Sequence, residues 1–446
     1  MPLIPSRAAL SRFFTDYGLL VVLFLLCALC SVGTLQLRRP VGRQAARLVA
    51  AEIAPGAEKQ AGIVIFAGDR KYADALEALL AEKQAPNVTK ITGSTRQMRA
   101  ALEGLVARGV PIDVIATTET SRLIVLDVRK ESPSLGGTRI EWAEDYWWPT
   151  FLTKSNLLNV ANKNVVIGVI AVGMTMVIIT AGIDLSVGSL VALAAVLAAS
   201  LIAHFGGQQA TFAVMLAASL AAVAACAAVG AFSGLMITAF KVPPFVVTLA
   251  MMWVASGTAY IISGGESIAD VPEAYDWLGM DASLLGIPNT LVLMLLIFVA
   301  GHLIMSRTTL GRHVYAIGGN RQAARLSGIR VNRVLLVVYT ISGAMAGVGG
   351  VMLASQFTSG TATYGRMYEL YAIAAVVVGG TSLAGGEGKI LGTLIGVFII
   401  AVVQNAMNLL EIGSYEQTVV LGLIVLAVVL LDMLKRHGWR RLFTPE

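Results

Sequence analysis

The sequence has few charged residues for its length. Only 13% of the 446 residues are Asp, Glu, Lys or Arg, whereas about a quarter are charged in a typical soluble domain. Hydrophobic residues make up 56% of the chain, and its mean hydropathy is +0.75. Several apolar runs reach the roughly 20 residues that a helix needs to cross a bilayer. These features exclude an ordinary soluble protein and predict a polytopic membrane protein.

Patterns that bind metals or cofactors are missing as well. The three cysteines, Cys27, Cys30 and Cys226, lie in apolar runs without metal-ligand spacing, and we interpret them as small packing residues. The four histidines are scattered along the chain. The α/β stretch of the chain contains no G-x-G-x-x-G fingerprint of a dinucleotide site. The sequence therefore predicts neither a metal site nor a cofactor.

The chain also lacks the phosphate loop of an ATPase. The segment GGTSLAGGEGK ends in Gly-Lys, but Leu383 stands where the pattern requires glycine and Ile390 where it requires Ser or Thr. We therefore expect a chain that is not an enzyme. The glycines of this segment favour close helix packing and a tight turn over ligand binding.

Ten apolar segments predict an all-α bundle of about ten transmembrane helices. They lie near residues 17–36, 164–182, 186–204, 211–239, 244–263, 289–306, 333–354, 367–381, 390–410 and 417–434. The loop between the sixth and seventh segments holds Arg307, Arg312, Arg321, Arg325, Arg330 and Arg333. An arginine-rich loop is typical of the cytoplasmic side. The net charge of +6 therefore indicates orientation rather than nucleic-acid binding, and we expect both termini, including the tail KRHGWRR, inside the cell.

Residues 37–145 differ in character and predict a small α/β domain inserted between the first two spans. AGIVIFAGD, NVTKITG, PIDVIATT and RLIVLDV are typical of strands, and KYADALEALLAEK of a helix. STRQMRAALEGLVARG begins with a capping box of Ser94 and Gln97, which predicts a second helix. We divide the chain into residues 1–36 with the first span, 37–145 as the insert, and 146–446 as the transmembrane domain. Tyr146, Trp147 and Trp148 at this last boundary are typical of an interfacial aromatic belt.

The ten-span topology places the insert outside the cytoplasm. Arg38, Arg39, Arg43 and Arg47 follow the first span and conflict with that placement. Charge counting applies to short loops, however, and whole domains are translocated largely regardless of it. We therefore expect an extracytoplasmic insert.

A single carboxylate, Asp184, lies in the apolar run at 165–202. A charge at membrane depth costs at least a few kcal/mol. The neighbouring Gly182 and Gly188 predict a break between two helices, where backbone groups line protein or water. Asp184 or Ser186 could cap the next helix, or both could lie on a substrate pathway, as in transporters with broken helices. The sequence leaves both alternatives open.

Three amides share one helical face later in the chain. Gln404, Asn405 and Asn408 have the spacing i, i+1 and i+4 in an apolar segment. Their side chains could hydrogen-bond neighbouring helices, or they could form a neutral polar lining suited to a hydroxyl-rich sugar. We include them with Asp184 and Ser186 as substrate-pathway candidates.

Three long motifs, in order, resemble one known family. GMTMVIITAGIDLSVGSLVAL, TTLGRHVYAIGGNRQAARLSGIRVNRV and YELYAIAAVVVGGTSLAGGEGKILGTLIG are similar to segments of the permease subunits of bacterial ABC sugar importers of the ribose, xylose and arabinose type. The resemblance runs from about Phe151 to the C-terminus and covers the first span. It implies a membrane-spanning subunit that passes a ribose-like monosaccharide across the inner membrane. Its implied partners are a cytoplasmic ABC ATPase, a periplasmic sugar-binding protein and a second permease copy.

The resemblance also implies a coupling contact with that ATPase. GGNRQAARLSG matches the family's cytoplasmic docking loop and predicts a short helix from about Arg321 to Leu326. Our candidates for the contact are Gly318, Asn320, Arg321, Arg325 and Gly328. The arginines could instead serve only to fix orientation.

Two features depart from the family. Its members pass directly from the first span to the segment resembling FLTKSNLLNV, whereas this chain inserts roughly a hundred residues. That insert loosely resembles half of a sugar-binding-protein lobe. Family members also typically have an acidic residue where this chain has Tyr371, which affects substrate choice or coupling if that acid belongs to the pathway.

Two other classes of protein remain as alternatives. An ion-coupled secondary transporter of a small polar solute would need ionisable residues deep in several spans, but apart from Asp184 the spans hold few, with Glu369 near an end. A membrane-anchored receptor with the insert as sensor would not need ten spans.

Overall fold

The structure is a computed structural model that describes residues 7–53, 62–83, 85, 87–281 and 286–437, without the side chains of 7–17 and 431–437. The basic tail predicted to lie inside the cell falls largely outside these residues. The chain forms two compact units, one of residues 1–34 and 150–446 and the other Leu35–Pro149. Helices and strands are labelled in chain order across both units.

The first unit, here the helical unit, is all-α within the described residues. Its helices are α1 (Arg7–Gly33), α6 (Lys154–Lys163), α7 (Val165–Ile179), α8 (Val187–Phe205), α9 (Phe212–Ala239), α10 (Pro244–Ser263), α11 (Asn289–Arg307), α12 (Thr309–Gly319), α13 (Arg321–Leu326), α14 (Val331–Phe357), α15 (Tyr368–Val378), α16 (Ile390–Leu409) and α17 (Ser414–His437). Local sequence sets several boundaries. For example, α10 begins with Pro244 at its first position and ends at Gly264, whose φ of +63° is left-handed.

Helix α7 is at the centre of the helical unit. All of its residues are buried, and α11, α14, α15 and α16 pack around it. It has no polar face because it meets protein on every side. Helix α6 precedes it at a 43° bend.

Among the described residues, six helices are long and apolar enough to cross a membrane, or seven if the bent pair of α6 and α7 is one span. The six are α8, α9, α10, α11, α14 and α16. The chain is thus a polytopic, mostly helical membrane protein. Shorter apolar helices at Gly18–Gly33, Tyr368–Val378 and Ser414–Leu430 occupy the remaining predicted spans, and the count of ten stays a prediction. Helix α15 has 11 residues, about 16 Å of rise, which is roughly half of a bilayer core.

The second unit, here the inserted unit, is a parallel sheet covered by helices. Its elements are β1 (Leu35–Arg38), α2 (Gly42–Ile53), β2 (Gly62–Phe66), α3 (Arg70–Glu82), β3 (Asn87–Ile91), α4 (Thr95–Ala107), β4 (Val114–Thr117), α5 (Glu119–Glu131), β5 (Arg139–Trp142) and β6 (Tyr146–Pro149). The sheet order is β3-β2-β4-β5, with every pair parallel. Alternate strand residues face opposite sides, so that Ile63 and Ile65 pack against α2 and α3, and Val64 and Phe66 against α4 and α5.

One prediction for this unit is wrong. RLIVLDV was expected to be a strand, but residues 119–131 form α5. Its β-branched residues suggested a strand, yet Ser121, Val125 and Val128 are buried at helical spacing. Glu119 in the first turn and two cations in the last also favour the helix through its dipole.

The aromatic residues 146–148 form part of a strand instead of simply flanking a transmembrane helix. It lies in β6, which pairs antiparallel with β1 through Leu35–Pro149 and Arg38–Tyr146. This two-stranded ribbon joins the two ends of the inserted unit. Trp147 remains 67% exposed.

Candidate functional site

The break predicted around Asp184 lies between α7 and α8. Helix α7 ends at Ile179 in a Schellman turn, in which the Gly182 N–H donates to the Val177 carbonyl and the Ala181 N–H to the Ile178 carbonyl. Ala181 has a φ of +60°, a conformation that L residues rarely adopt. Helix α8 starts only at Val187. The chain therefore leaves the helical path for several residues inside the helical unit.

Asp184 holds this break in place. The residue is 1% exposed. Its Oδ1 accepts hydrogen bonds from the Ser186 backbone N–H at 3.0 Å and the Ser186 hydroxyl at 2.6 Å, and its Oδ2 accepts one from the Ser342 hydroxyl on α14 at 2.8 Å. Both oxygens are thus partnered in the protein interior, which is the condition for keeping a carboxyl group there. Ser186 precedes α8 without a side-chain cap bond.

The three amides of α16 border a second feature, here the amide cavity. It has a volume of about 440 Å³ and is lined by Asn156, Asn159, Val160, Lys163, Asn164, Ile167, Tyr368, Tyr371, Ala401, Gln404, Asn405, Asn408 and Leu409. The structure therefore brings Gln404, Asn405 and Asn408 together with Tyr371. It does not bring them to Asp184 and Ser186, which are absent from this lining.

Two of these amides also make the interhelical bonds that were the alternative interpretation. Asn405 and Asn156 exchange two hydrogen bonds of 2.9 Å, each amide nitrogen donating to the other side chain's oxygen. Asn408 Oδ1 accepts a hydrogen bond from Gln417 Nε2 at 2.9 Å. Gln404 forms no side-chain hydrogen bond with any residue that the structure describes, so its amide is available to a solute in the cavity.

The predicted coupling loop folds as α12, α13 and the turn after them, here the α13 hairpin (residues 309–328). Asn320 caps α13, since its Oδ1 accepts the Ala323 backbone N–H at 2.9 Å. Gly328 ends the hairpin with a φ of +84°. Arg321 and Arg325 are exposed and form no ion pair within the described ranges. Between them and the turn lies Leu326, which is 88% exposed.

Gly318 connects this hairpin to the break near Asp184. Ile179 is the last residue of α7. A Cβ at Gly318 would collide with the carbonyl oxygen of Ile179 and with the backbone of Gly386. The Gly386 N–H donates to the same Ile179 carbonyl at 2.9 Å. Three backbone segments therefore meet at one point, here the Gly318 junction (Ile179, Gly318 and Gly386).

Sequence comparison identifies the family to which this arrangement belongs. Residues 156–429 match the family described as the permease component of the branched-chain amino acid transport system. The chain belongs to this permease family. The match confirms the family inferred from the three motifs.

Several relatives of the permease are transport proteins. It is 41% identical over 292 residues to the ribose import permease protein RbsC of Escherichia coli K12, covering 65% of this chain and 88% of that protein. It is 43% identical over 288 residues to RbsC of Bacillus subtilis, covering 64% and 87%. It is 38% identical over 292 residues to the L-arabinose ABC transporter permease protein AraH of Azospirillum brasilense, covering 66% and 84%. No solved structure matches the chain.

Sequence reasoning missed a second cavity of the permease, here the Trp253 cavity. It has a volume of about 400 Å³ and is lined by Gly188, Ser189, Ala192, Met252, Trp253, Ser256, Tyr260, Ala362, Thr363, Tyr364, Gly365, Arg366, Met367 and Glu369. Its walls come from α8, α10, the loop before α15 and the first turn of α15. These segments are far apart in the sequence, and no local pattern indicated that they meet.

The glycine-rich segment after α15 serves packing in the permease. Gly379 and Gly392 lie so close that a Cβ on either would collide with the other's backbone, which lets α15 and α16 approach. Gly380, Gly385 and Gly386 have φ values of +84°, +87° and +76°, and the turn closes with Ser382 N–H donating to the Glu387 carbonyl at 3.1 Å. This geometry is a tight turn.

Proposed function

We propose that the chain is the membrane-spanning subunit of an ABC importer that moves a ribose-like monosaccharide across the bacterial inner membrane. The observation that carries this proposal is the match of residues 156–429 to the permease family, together with the identity of about 40% to ribose and L-arabinose permeases. The chain forms the translocation pathway and has no ATPase activity of its own. A separate cytoplasmic ATPase energises it, a periplasmic sugar-binding protein delivers the sugar, and a second permease copy completes the pathway.

The amide cavity is proposed as part of the sugar pathway. Its lining combines neutral amides and Tyr371 with the cationic Lys163, and these groups can exchange hydrogen bonds with sugar hydroxyls. Gln404 contacts the sugar directly, whereas Asn405 and Asn408 shape the wall through their bonds to Asn156 and Gln417. Asp184 and Ser186 act on the pathway indirectly, by holding the break between α7 and α8.

The α13 hairpin is proposed as the contact with the ATPase. Leu326 is exposed and follows two unpaired arginines, Arg321 and Arg325, on a capped helix. It offers an apolar contact beside positive charge, and this combination suits an acidic-rimmed groove on a partner. Gly318 transmits the movement of the hairpin to the end of α7. Asn320 and Gly328 keep the hairpin in shape.

A substitution at the hairpin tests this contact. We expect Leu326→Asp to lower sugar-stimulated ATP hydrolysis by the assembled importer about tenfold or more, because the change removes a central apolar contact and adds a repulsive charge. Gln322→Ala on the same helix is the matched control and should leave the rate unchanged. Equal rates for Leu326→Asp and the unmodified protein, measured with purified importer in detergent or nanodiscs, would refute the assignment.

The inserted unit is proposed to lie in the periplasm. The arginine-rich hairpin belongs to the cytoplasmic side, and the ten-span arrangement then puts the loop between the first two spans on the opposite side. Its parallel sheet and two-sided helix cover give it a core of its own.

A further inference from the structure

The Trp253 cavity combines the types of side chain that hold a sugar. Trp253 on α10 is 72% exposed and lines the cavity. Around it, Ser189, Ser256 and Thr363 supply hydroxyls, and Arg366 and Glu369 supply opposite charges. The flat ring provides an apolar surface for the C–H face of a sugar, and the polar groups can bind the hydroxyls at its edge. A volume of about 400 Å³ falls within the range of small-molecule sites.

The structure makes room for the Glu369 carboxylate at this cavity. A Cβ at Gly188 would collide with Glu369 Oε2, so glycine at the start of α8 is what admits the carboxylate there. The first turn of α8 has backbone N–H groups without helical partners and the positive end of the helix dipole, both of which favour a negative charge. No side chain of the described residues pairs with Glu369 or with Arg366. Each charge is thus positioned at the cavity without a side-chain partner among the residues that the structure describes.

The backbone at this cavity is also strained. Met367, immediately before α15, has a φ of +70°, which costs a non-glycine residue of the order of 1 kcal/mol or more. Gly365, two residues earlier, has a φ of +69°, and a Cβ added there would collide with the Gly188 carbonyl oxygen. The loop of residues 362–367 is therefore pressed against α8 in a conformation that carries Arg366 and Glu369 to the same cavity. Strain of this kind is typical of functional sites.

We propose that the Trp253 cavity is a monosaccharide-binding subsite, in which Trp253 stacks against the sugar and Glu369 and Arg366 bind its hydroxyls. This subsite is separate from the amide cavity and rests on the proposed sugar-import function. Weak binding suits it, since a transit site must release what it binds. The subsite thereby adds sugar selectivity within the permease to any selectivity of the binding protein.

Uptake by cells carrying the complete importer tests the subsite. The probes are radiolabelled D-ribose, L-arabinose, D-xylose and D-glucose, and rates are normalised to the amount of permease in the membrane. We expect Trp253→Leu and Glu369→Gln each to lower uptake of the preferred sugar about tenfold, as expected for a lost stacking face or a lost charged hydrogen bond, and to change the ratio of rates among the four sugars. Trp277→Leu and Glu273→Gln, outside the cavity, are the matched controls and should preserve both rate and ratio.

The outcomes separate this inference from the function on which it rests. If the unmodified importer takes up a monosaccharide and the two cavity variants match the controls, the subsite is wrong and the import function stands. If the variants lower all four rates in equal proportion, Glu369 and Trp253 have only a structural role, and the subsite is wrong as well. If the unmodified importer takes up none of the sugars, the import function itself fails.

Discussion

Gly318→Ala is expected to abolish sugar uptake. The added Cβ would collide with backbone atoms of Ile179 and Gly386, and backbone in a packed interior cannot move aside as a flexible side chain does. The hairpin would then be displaced from the end of α7, so that movement of the ATPase no longer reaches the break at Asp184. We expect ATP hydrolysis to continue with uptake reduced at least about a hundredfold, a loss equivalent to about 3 kcal/mol.

The neighbouring glycine provides the matched control. A Cβ at Gly319 would meet nothing within 4 Å, so Gly319→Ala should retain uptake. The two variants make the same chemical change at adjacent positions of one helix. Uptake is measured together with ATP hydrolysis and the amount of permease in the membrane. Normal uptake by Gly318→Ala, or equal loss in both variants, would contradict the role of the Gly318 junction.

Asp184→Ala is expected to destabilise the helical unit strongly. The substitution leaves the Ser186 backbone N–H and the hydroxyls of Ser186 and Ser342 without their acceptors. Each buried group left unpaired costs about 1–3 kcal/mol, so the total loss is expected to be about 3 kcal/mol or more. The measurement is the fraction of permease that stays monodisperse on size-exclusion chromatography after heating.

Two comparisons show what the Asp184 effect depends on. Asp184→Asn keeps an oxygen acceptor for Ser186 and should retain most of the stability, because the Ser342 hydroxyl oxygen can accept a hydrogen bond from the new amide nitrogen. Tyr339→Phe is the local control, since the buried Tyr339 hydroxyl has no hydrogen-bond partner in the described structure and its removal should cost little. Asp184→Ala behaving like Tyr339→Phe would show that the hydrogen bonds do not hold the break.

The elements that could be predicted from the sequence are those set by local patterns. The break at Asp184 follows from a carboxylate between glycines in an apolar run, and the short helix α13 from Asn320 before it and Gly328 after it. The capping box at Ser94 correctly marks the start of α4, where Gln97 Oε1 accepts the Ser94 N–H at 3.2 Å. In each case the residues that determine the conformation lie within one or two turns of each other.

The parts that could not be predicted depend on contacts distant in sequence. The partner of Asp184 on α14, Ser342, is 158 residues away, and the Trp253 cavity needs the loop before α15 to fold back onto α8. The β-strand propensity of residues 122–128 also gave a wrong prediction. This segment is rich in β-branched side chains, but tertiary packing outweighs that propensity and the segment forms part of α5. The sequence indicated Glu369 only as an acid near the end of a span, without the Gly188 contact that positions it.

Uptake into reconstituted vesicles tests the central claim most directly. The vesicles contain the purified permease with its ATPase and binding protein, and radiolabelled D-ribose is supplied on the binding-protein side. We predict uptake that requires ATP and the ATPase and that is unaffected when proton and sodium gradients are collapsed with ionophores. Uptake that continues without the ATPase and stops when an ion gradient is collapsed would identify an ion-coupled transporter and contradict the account.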